Sequence, residues 1–175
     1  MGQLTSKVSS LFTSNNENRV LMLGLDGAGK TAILYKLKFG NTDNIIPTIG
    51  FNMEKITIDK TTISLWDIGG QKHLWKFYYP TTKVLIYVVD SSNEERLQDT
   101  REELFGLLEE PELAKCPLLV VANKQDLPNA LSSEELTEKF HLESIRNRKW
   151  HICGTSAQTG DGLNDGLKWV KEHIK

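Results

Sequence analysis

A chain of 175 residues with a formal net charge of −2 suits one domain with a full core and argues against a general nucleic-acid-binding surface. It shows no apolar run long enough to span a membrane and no secretory signal pattern. Its two cysteines, Cys116 and Cys153, lack metal-ligand spacing and read as reduced thiols of a cytosolic protein, with a disulfide as the alternative.

Met1-Gly2-Gln3-Leu4-Thr5-Ser6 fits M-G-x-x-x-[ST], the pattern for N-myristoylation at Gly2. Leu4, Val8, Leu11 and Phe12 fall on one helical stripe, opposite a Ser/Thr face whose one charge is Lys7. The polar linker Thr13 to Asn18 separates this helix from the first core strand. An acylated amphipathic helix lies in a membrane interface, and a single acyl chain makes that binding marginal and reversible.

Val20 to Leu23 reads as a buried strand and Ala32 to Leu37 as a helix. Between them Gly24-Leu25-Asp26-Gly27-Ala28-Gly29-Lys30-Thr31 fits G-x-x-x-x-G-K-[ST] in the strand–loop–helix context that this phosphate-binding motif requires. Gly27 and Gly29 let the backbone curl so that successive N–H groups point inward. The helix that starts near Lys30 adds the positive end of its dipole, and Lys30 sets an ammonium against the outer phosphates. The Thr31 hydroxyl is a hard oxygen ligand suited to Mg²⁺.

The helix ends near Gly40, and a polar segment leads to Ile46-Pro47-Thr48-Ile49-Gly50. Phe51 to Ile58 and Thr62 to Trp66 read as a hairpin around Asp59-Lys60. The second strand runs into Asp67-Ile68-Gly69-Gly70-Gln71. An Asp at the end of a buried strand after a phosphate loop is where a ligand to metal-bound water sits, and Gln71 suits a water-orienting role. Gly69 and Gly70 allow a backbone N–H to approach a terminal phosphate. Singly, Thr48 and Gln71 are ordinary loop polars; their spacing from the phosphate loop and Asp67 gives them weight.

Val84 to Asp90 reads as a buried strand, and Ser92 with Glu95 as a capping box opening a helix to about Glu109. Leu118 to Ala122 is another buried strand, ending in Asn123-Lys124-Gln125-Asp126, and Ser132 with Glu135 caps a short helix. Arg146 to Lys149 reads as a solvated basic loop, Trp150 to Thr155 as the last strand before Ser156-Ala157, and Leu163, Leu167, Val170 and Ile174 as one face of the final helix. Buried strands alternating with amphipathic helices predict an α/β doubly wound, mostly parallel sheet. Ligands bind beyond the carboxyl ends of such strands, where the phosphate loop, Asp67, Asn123 to Asp126 and Ser156-Ala157 all fall.

Asn123-Lys124-Gln125-Asp126 fits N-K-x-D, a guanine-reading pattern. The Asp126 carboxylate accepts two bonds from the N1–H and N2–H₂ edge of guanine, an edge that adenine lacks, and such a site discriminates by ~10⁴ or more. The Lys124 stem suits the base plane, Asn123 a tie to the phosphate loop, and the Ala157 N–H a bond to guanine O6. An ATP-using P-loop kinase is disfavoured by Asp126.

Nearly the whole chain resembles the ADP-ribosylation factor (Arf) and Arf-like small GTPases of the Ras superfamily. The residues carrying the resemblance are Gly24 to Thr31, Pro47 to Asn52, Trp66 to Gln71, Asn123 to Ala130 and Gly160-Asp161-Gly162-Leu163, together with Gly2 and the N-terminal helix. The resemblance implies a P-loop small G-protein fold with a mostly parallel six-stranded sheet flanked by helices. It divides the chain into an N-terminal myristoylatable amphipathic helix and linker over 1–18 and a small GTPase domain over 19–175. It implies GTP/GDP and Mg²⁺ as ligands, held by Gly24 to Ala32, Thr48, Asp67, Gly70, Asn123, Lys124, Asp126, Ser156 and Ala157. Thr31, Thr48 and, through water, Asp67 are the implied metal ligands, and Lys30 and Gln71 the implied catalytic residues. It further implies that the hairpin slides between nucleotide states, coupling activation to release of the N-terminal helix toward membranes. Phe51, Trp66 and Tyr78 match the family's aromatic effector patch. The implied partners are a Sec7-type exchange factor, a GTPase-activating protein and effector or coat proteins. The implied setting is vesicle trafficking, from the cytoplasm to the surface of the Golgi and other endomembranes.

Asp26 stands where many other small GTPases carry a small residue, and Arf relatives share it. One departure matters. Only Lys72, His73 and Leu74 separate Gln71 from Trp75, about three residues fewer than the resembled family has in the segment called switch II. No arginine sits in an obvious position to act on the phosphate in cis, so slow unassisted hydrolysis is expected. A stably loaded interaction module whose shortened segment no longer toggles is the alternative.

Overall fold

The computed structural model describes residues 18–69 and 72–174. The expected N-terminal amphipathic helix with Gly2, and the pair Gly70 and Gln71, lie outside the described residues. Among the described residues six strands and five α-helices follow one another: β1 (Arg19–Leu23), α1 (Lys30–Phe39), β2 (Phe51–Ile58), β3 (Thr61–Ile68), α2 (Lys72–Trp75), β4 (Val84–Asp90), α3 (Leu97–Leu108), β5 (Leu118–Asn123), α4 (Ser133–Phe140), β6 (Trp150–Gly154) and α5 (Leu163–His173). They form one sheet in the order β2-β3-β1-β4-β5-β6. All neighbours are parallel except β2 and β3, so the expected mostly parallel six-stranded sheet is present.

Period-two alternation sends each central strand's side chains to two cores. Leu21 and Leu23 of β1 join Leu85, Tyr87, Val120, Leu104 and Phe140 on one face. Val20 and Met22 join Ile33, Leu65, Ile86, Leu119, Leu167 and Val170 on the other. The β1, β4 and β5 strands are buried on both faces, which is why they read as unbroken apolar runs.

The β2–β3 hairpin pairs Phe51 with Ile68 through to Ile58 with Thr61, leaving Asp59 and Lys60 as its two-residue turn. Both turn residues are left-handed (φ 43° and 72°), the geometry whose twist matches that of the flanking strands. Asp59 accepts a bond from Lys171 at the far end of the chain (3.1 Å), fastening the turn to α5. The α4 capping box forms as its sequence predicts: Glu135 N–H donates to Ser132 Oγ (3.2 Å) and Ser132 N–H to Glu135 Oε2 (2.8 Å).

Two local expectations are corrected. Ser92 and Glu95 do not form a capping box; Ser92 N–H and Oγ both donate to Asp90 Oδ1 (3.0 and 2.6 Å), and α3 starts later, after a 3₁₀ turn over Glu94–Arg96. The nearby carboxylate outcompetes the helix for the hydroxyl. Within the basic cluster Arg148 is half-buried, not solvated. Its guanidinium donates to the carbonyls of Leu108 (2.8 Å), Leu113 (2.9 Å) and Cys116 (3.4 Å), joining the end of α3 to the approach to β5. A cation there satisfies carbonyls that a helix C-terminus leaves open. Both cysteines are free thiols; burial pushes Cys153 up to about 11 and raises Cys116 as well.

Arg148→Met strands those buried carbonyls. It lowers the unfolding free energy by about 2–3 kcal/mol in denaturant titrations.

Candidate functional site

At Leu23 the chain leaves the sheet and curls through Gly24 to Gly29 before α1 begins at Lys30. The curl needs glycine at Gly24, where a Cβ would lie 2.4 Å from the Val88 carbonyl oxygen, and at Gly29. The φ of Gly29 is 99°, and a Cβ there would lie 2.3 Å from Asn123 Nδ2. Lys30 is buried inside the loop, its ammonium donating to the carbonyls of Gly24 (2.9 Å) and Leu25 (3.0 Å). Burial pushes its pKa down, and the charges of Asp67 and Asp26 oppose that shift. The lysine is thus a desolvated cation held in place where an anion would sit against it.

Asp67 anchors the second part of the site. Parallel pairing of β3 with β1 puts it beside Met22, at the strand ends where the loop starts. Its Oδ2 accepts from Thr31 Oγ1 (2.7 Å) and Thr48 Oγ1 (3.0 Å), and the two hydroxyls are 2.8 Å apart. Asn52 Nδ2 donates to Thr48 Oγ1 (3.0 Å), and Gly69 N–H donates to the Gly50 carbonyl (2.9 Å), so the strand ends hold the loop that carries Thr48. Asp67 is fully buried, and its Oδ1 has no hydrogen-bond partner. Two hydroxyls and a carboxylate with an orphaned oxygen are a hard-oxygen donor set fit for a small divalent cation.

The third part is the Asn123 to Asp126 loop, which the sequence reads as base-binding. Asn123, buried at the end of β5, donates through Nδ2 to the Ala28 carbonyl (2.9 Å). Its Oδ1 accepts from Ala157 N–H (3.1 Å) and Thr155 Oγ1 (3.2 Å). One side chain therefore joins the phosphate loop to the Ser156-Ala157 loop, the tie the sequence predicts. Lys124 is left-handed (φ 68°), and its ammonium pairs with Asp90 Oδ2 at 2.6 Å. Asp126 accepts from Ser156 Oγ (2.6 Å), which orients its exposed carboxylate.

The sequence reading missed Asp90 and Arg96. Asp90 lies at the carboxyl end of β4, opposite Asn123, and braces Lys124. Its burial raises the carboxyl pKa, but the bonds from Lys124 and Ser92 more than offset this and the net shift is downward. Strand-end position was its available signal. Arg96 donates to Asp26 twice, Nη1 to the carbonyl (2.9 Å) and Nη2 to Oδ1 (2.8 Å), across 70 positions that no local pattern links.

The phosphate loop, Thr48, Asp67, Asn123, Lys124, Asp126, Ser156 and Ala157 thus gather at one end of the sheet. Gly70 and Gln71 fall outside the described residues, but their flanks are fixed. Trp75, buried, donates its indole N–H to the Gly69 carbonyl (3.0 Å), and Lys72 pairs with Glu103 of α3. Phe51, Trp66 and Tyr78 do cluster, with ring centroids 5.3–5.9 Å apart. Trp66 is nonetheless only 1% exposed and has the Arg19 guanidinium 4.6 Å from its ring, so the accessible part of the patch belongs to Phe51 and Tyr78.

A model of the ADP-ribosylation factor family matches residues 4–174. Among solved structures, the chain is similar to the Arl6 BBS3 small GTPase of Trypanosoma brucei, whose structure holds the nucleotide analogue GppNp. The two are 30% identical, with a TM-score of 0.82 over 90% of this chain and 96% of the other.

Asp126→Asn replaces one acceptor of the base-reading carboxylate with an amide donor, which faces the guanine N2–H₂ donor but suits the O2 acceptor of xanthine. Affinity for GDP falls by about 10²-fold or more while that for xanthosine diphosphate rises, as competition binding with the two nucleotides will measure.

Proposed function

The chain belongs to the ADP-ribosylation factor family, and on that premise we propose that it is a magnesium-dependent switch that cycles between cytosol and membrane and recruits effectors there. Members of the family bind guanine nucleotide and hydrolyse GTP. The finer reading rests on one observation: the loop bearing Thr48 meets Thr31 and Asp67 through side-chain oxygens, and its other ties are Asn52 to Thr48 and Gly69 to Gly50 at the strand ends. A loop held that way is released when its ion and terminal phosphate leave.

In this reading Thr31, Thr48 and, through water, Asp67 hold Mg²⁺, which supplies neutralisation of charge on the outer phosphates. Lys30 meets the same phosphates, and Asn123, Lys124, Asp126 and the Ala157 N–H hold the base. Gln71 orients the attacking water. Turnover without an activator is slow, because Arg96, which reaches the phosphate loop, is engaged by Asp26. Gly2 carries the myristoyl group, and the helix beside it supplies the remaining membrane affinity. A Sec7-type exchange factor, a GTPase-activating protein and coat or other effector proteins complete the cycle, at the Golgi and other endomembranes. The nucleotide analogue in the Trypanosoma brucei relative supports the same nucleotide chemistry here.

A second reading, the stably loaded module, draws on the short segment after Gln71, which Trp75 ties to Gly69 and Lys72 ties to Glu103. Trp66 and Trp75 report on the difference. Exchanging GDP for GTPγS changes their fluorescence if the protein switches, and ATPγS does not. Stable GTPγS binding with unchanged fluorescence selects the module. Unassisted GTP turnover is on the order of 10⁻³ s⁻¹ or slower in single-turnover assays. Chelating magnesium speeds GDP release at least about tenfold in a displacement assay, since the Asp67 cluster loses its ion.

A further inference from the structure

Asp26 sets a carboxylate in a loop built to bind polyphosphate. Its side chain is 79% exposed, and a carboxylate there repels an anion over about one Debye length, roughly 8 Å. Its position within the loop sharpens the problem. Ala28 carries the tie to the base-reading Asn123, whereas Leu25 and Asp26 lie on the other arm. With Lys72, Trp75 and Arg96 they line a cleft of about 350 Å³. Lys30, which the sequence sets against the outer phosphates, donates to the carbonyl of Leu25, the neighbour of Asp26, and feels the Asp26 charge, so Asp26 belongs to the outer-phosphate end of the loop.

Arg96 meets Asp26 there with two bonds, one to its carbonyl and one to its carboxylate. The pair holds the Asp26 carboxyl below the ordinary carboxylate range and raises the pKa of the guanidinium. Both groups are therefore charged at neutral pH. As a plain surface ion pair this contact adds little to stability. Next to a polyphosphate its effect is larger, because the carboxylate's field falls on the ligand unless the arginine cancels it.

We propose that Arg96 is a positioning residue that neutralises Asp26 and thereby sets the preference of the site for nucleoside triphosphate over diphosphate. The inference rests on the nucleotide reading of the phosphate loop. The third phosphate adds negative charge at the Asp26 arm, so an uncancelled carboxylate penalises GTP more than GDP. A role in folding alone would weaken both nucleotides equally.

The test uses the full chain with Mg²⁺ and reads the ratio of the GTPγS and GDP dissociation constants by competition. Arg96→Gln raises that ratio about tenfold, the effect of one uncancelled unit charge near a protein surface. Asp26→Asn, which leaves the arginine's charge uncancelled instead, shifts the ratio the opposite way by about threefold or more. The double variant returns to within about threefold of the wild type, because neither charge remains. An unchanged ratio in Arg96→Gln, shifts of the same sign in both single variants, or a double variant that stays at the Arg96→Gln value would overturn the proposal while leaving nucleotide binding intact. Failure of the wild type to bind either nucleotide would overturn the nucleotide reading and this inference together.

Discussion

A buried carboxylate is the constraint on which the rest of the site depends. Asp67 is wholly enclosed, and an enclosed carboxylate costs several kcal/mol unless charges or donors compensate it. Parallel pairing fixes its place at the end of β3, so it cannot move to water without breaking the sheet. Partners must therefore come to it. Thr31 arrives on the first turn of α1 and Thr48 on the loop before β2. The remaining oxygen is left without a partner, which is a standing preference for a cation. Thr31 and Thr48, on separate segments, thus share one electrostatic requirement.

The same economy appears at the base end. Asn123 is buried and its amide ties two loops together, touching Ala28 on one and Thr155 and Ala157 on the other. That contact explains Gly29, where a methyl group would collide with the amide. It also explains how Lys124 keeps a left-handed backbone: its neighbour Asn123 is locked, and its own ammonium is braced by Asp90. Phosphate and base subsites are therefore one mechanically continuous surface, and Asp67 holds its other edge.

The sequence made the fold and most of this surface legible because the information is local. The Asp59-Lys60 turn and the Ser132 capping box each lie within a few residues and take the expected geometry, and the phosphate loop and the N-K-x-D run fall at strand carboxyl ends as their spacing predicts. The failures share a cause. Ser92 has the spacing of a capping box, but Asp90 two residues earlier is a better acceptor. Arg148 sits among charges that look solvated, but distant carbonyls claim it. Arg96 meets Asp26 across 70 positions, and Trp66 is drawn inward by β3 although its partners Phe51 and Tyr78 remain partly accessible. Periodicity carries no signal for pairs of that kind. The shortened stretch after Gln71 is visible in sequence, while its tethers through Trp75 and Lys72 emerge only when α2 is packed against α3.

The proposed switch therefore reduces to whether the Thr48 loop leaves Asp67 when the third phosphate is absent. Amide hydrogen exchange on the full chain with Mg²⁺, compared between the GDP and GTPγS forms, reads this directly. The account predicts that residues 46–52 exchange slowly with GTPγS and much faster with GDP, while β1, β4 and β5 stay equally protected. Equal exchange of residues 46–52 in both forms would contradict it.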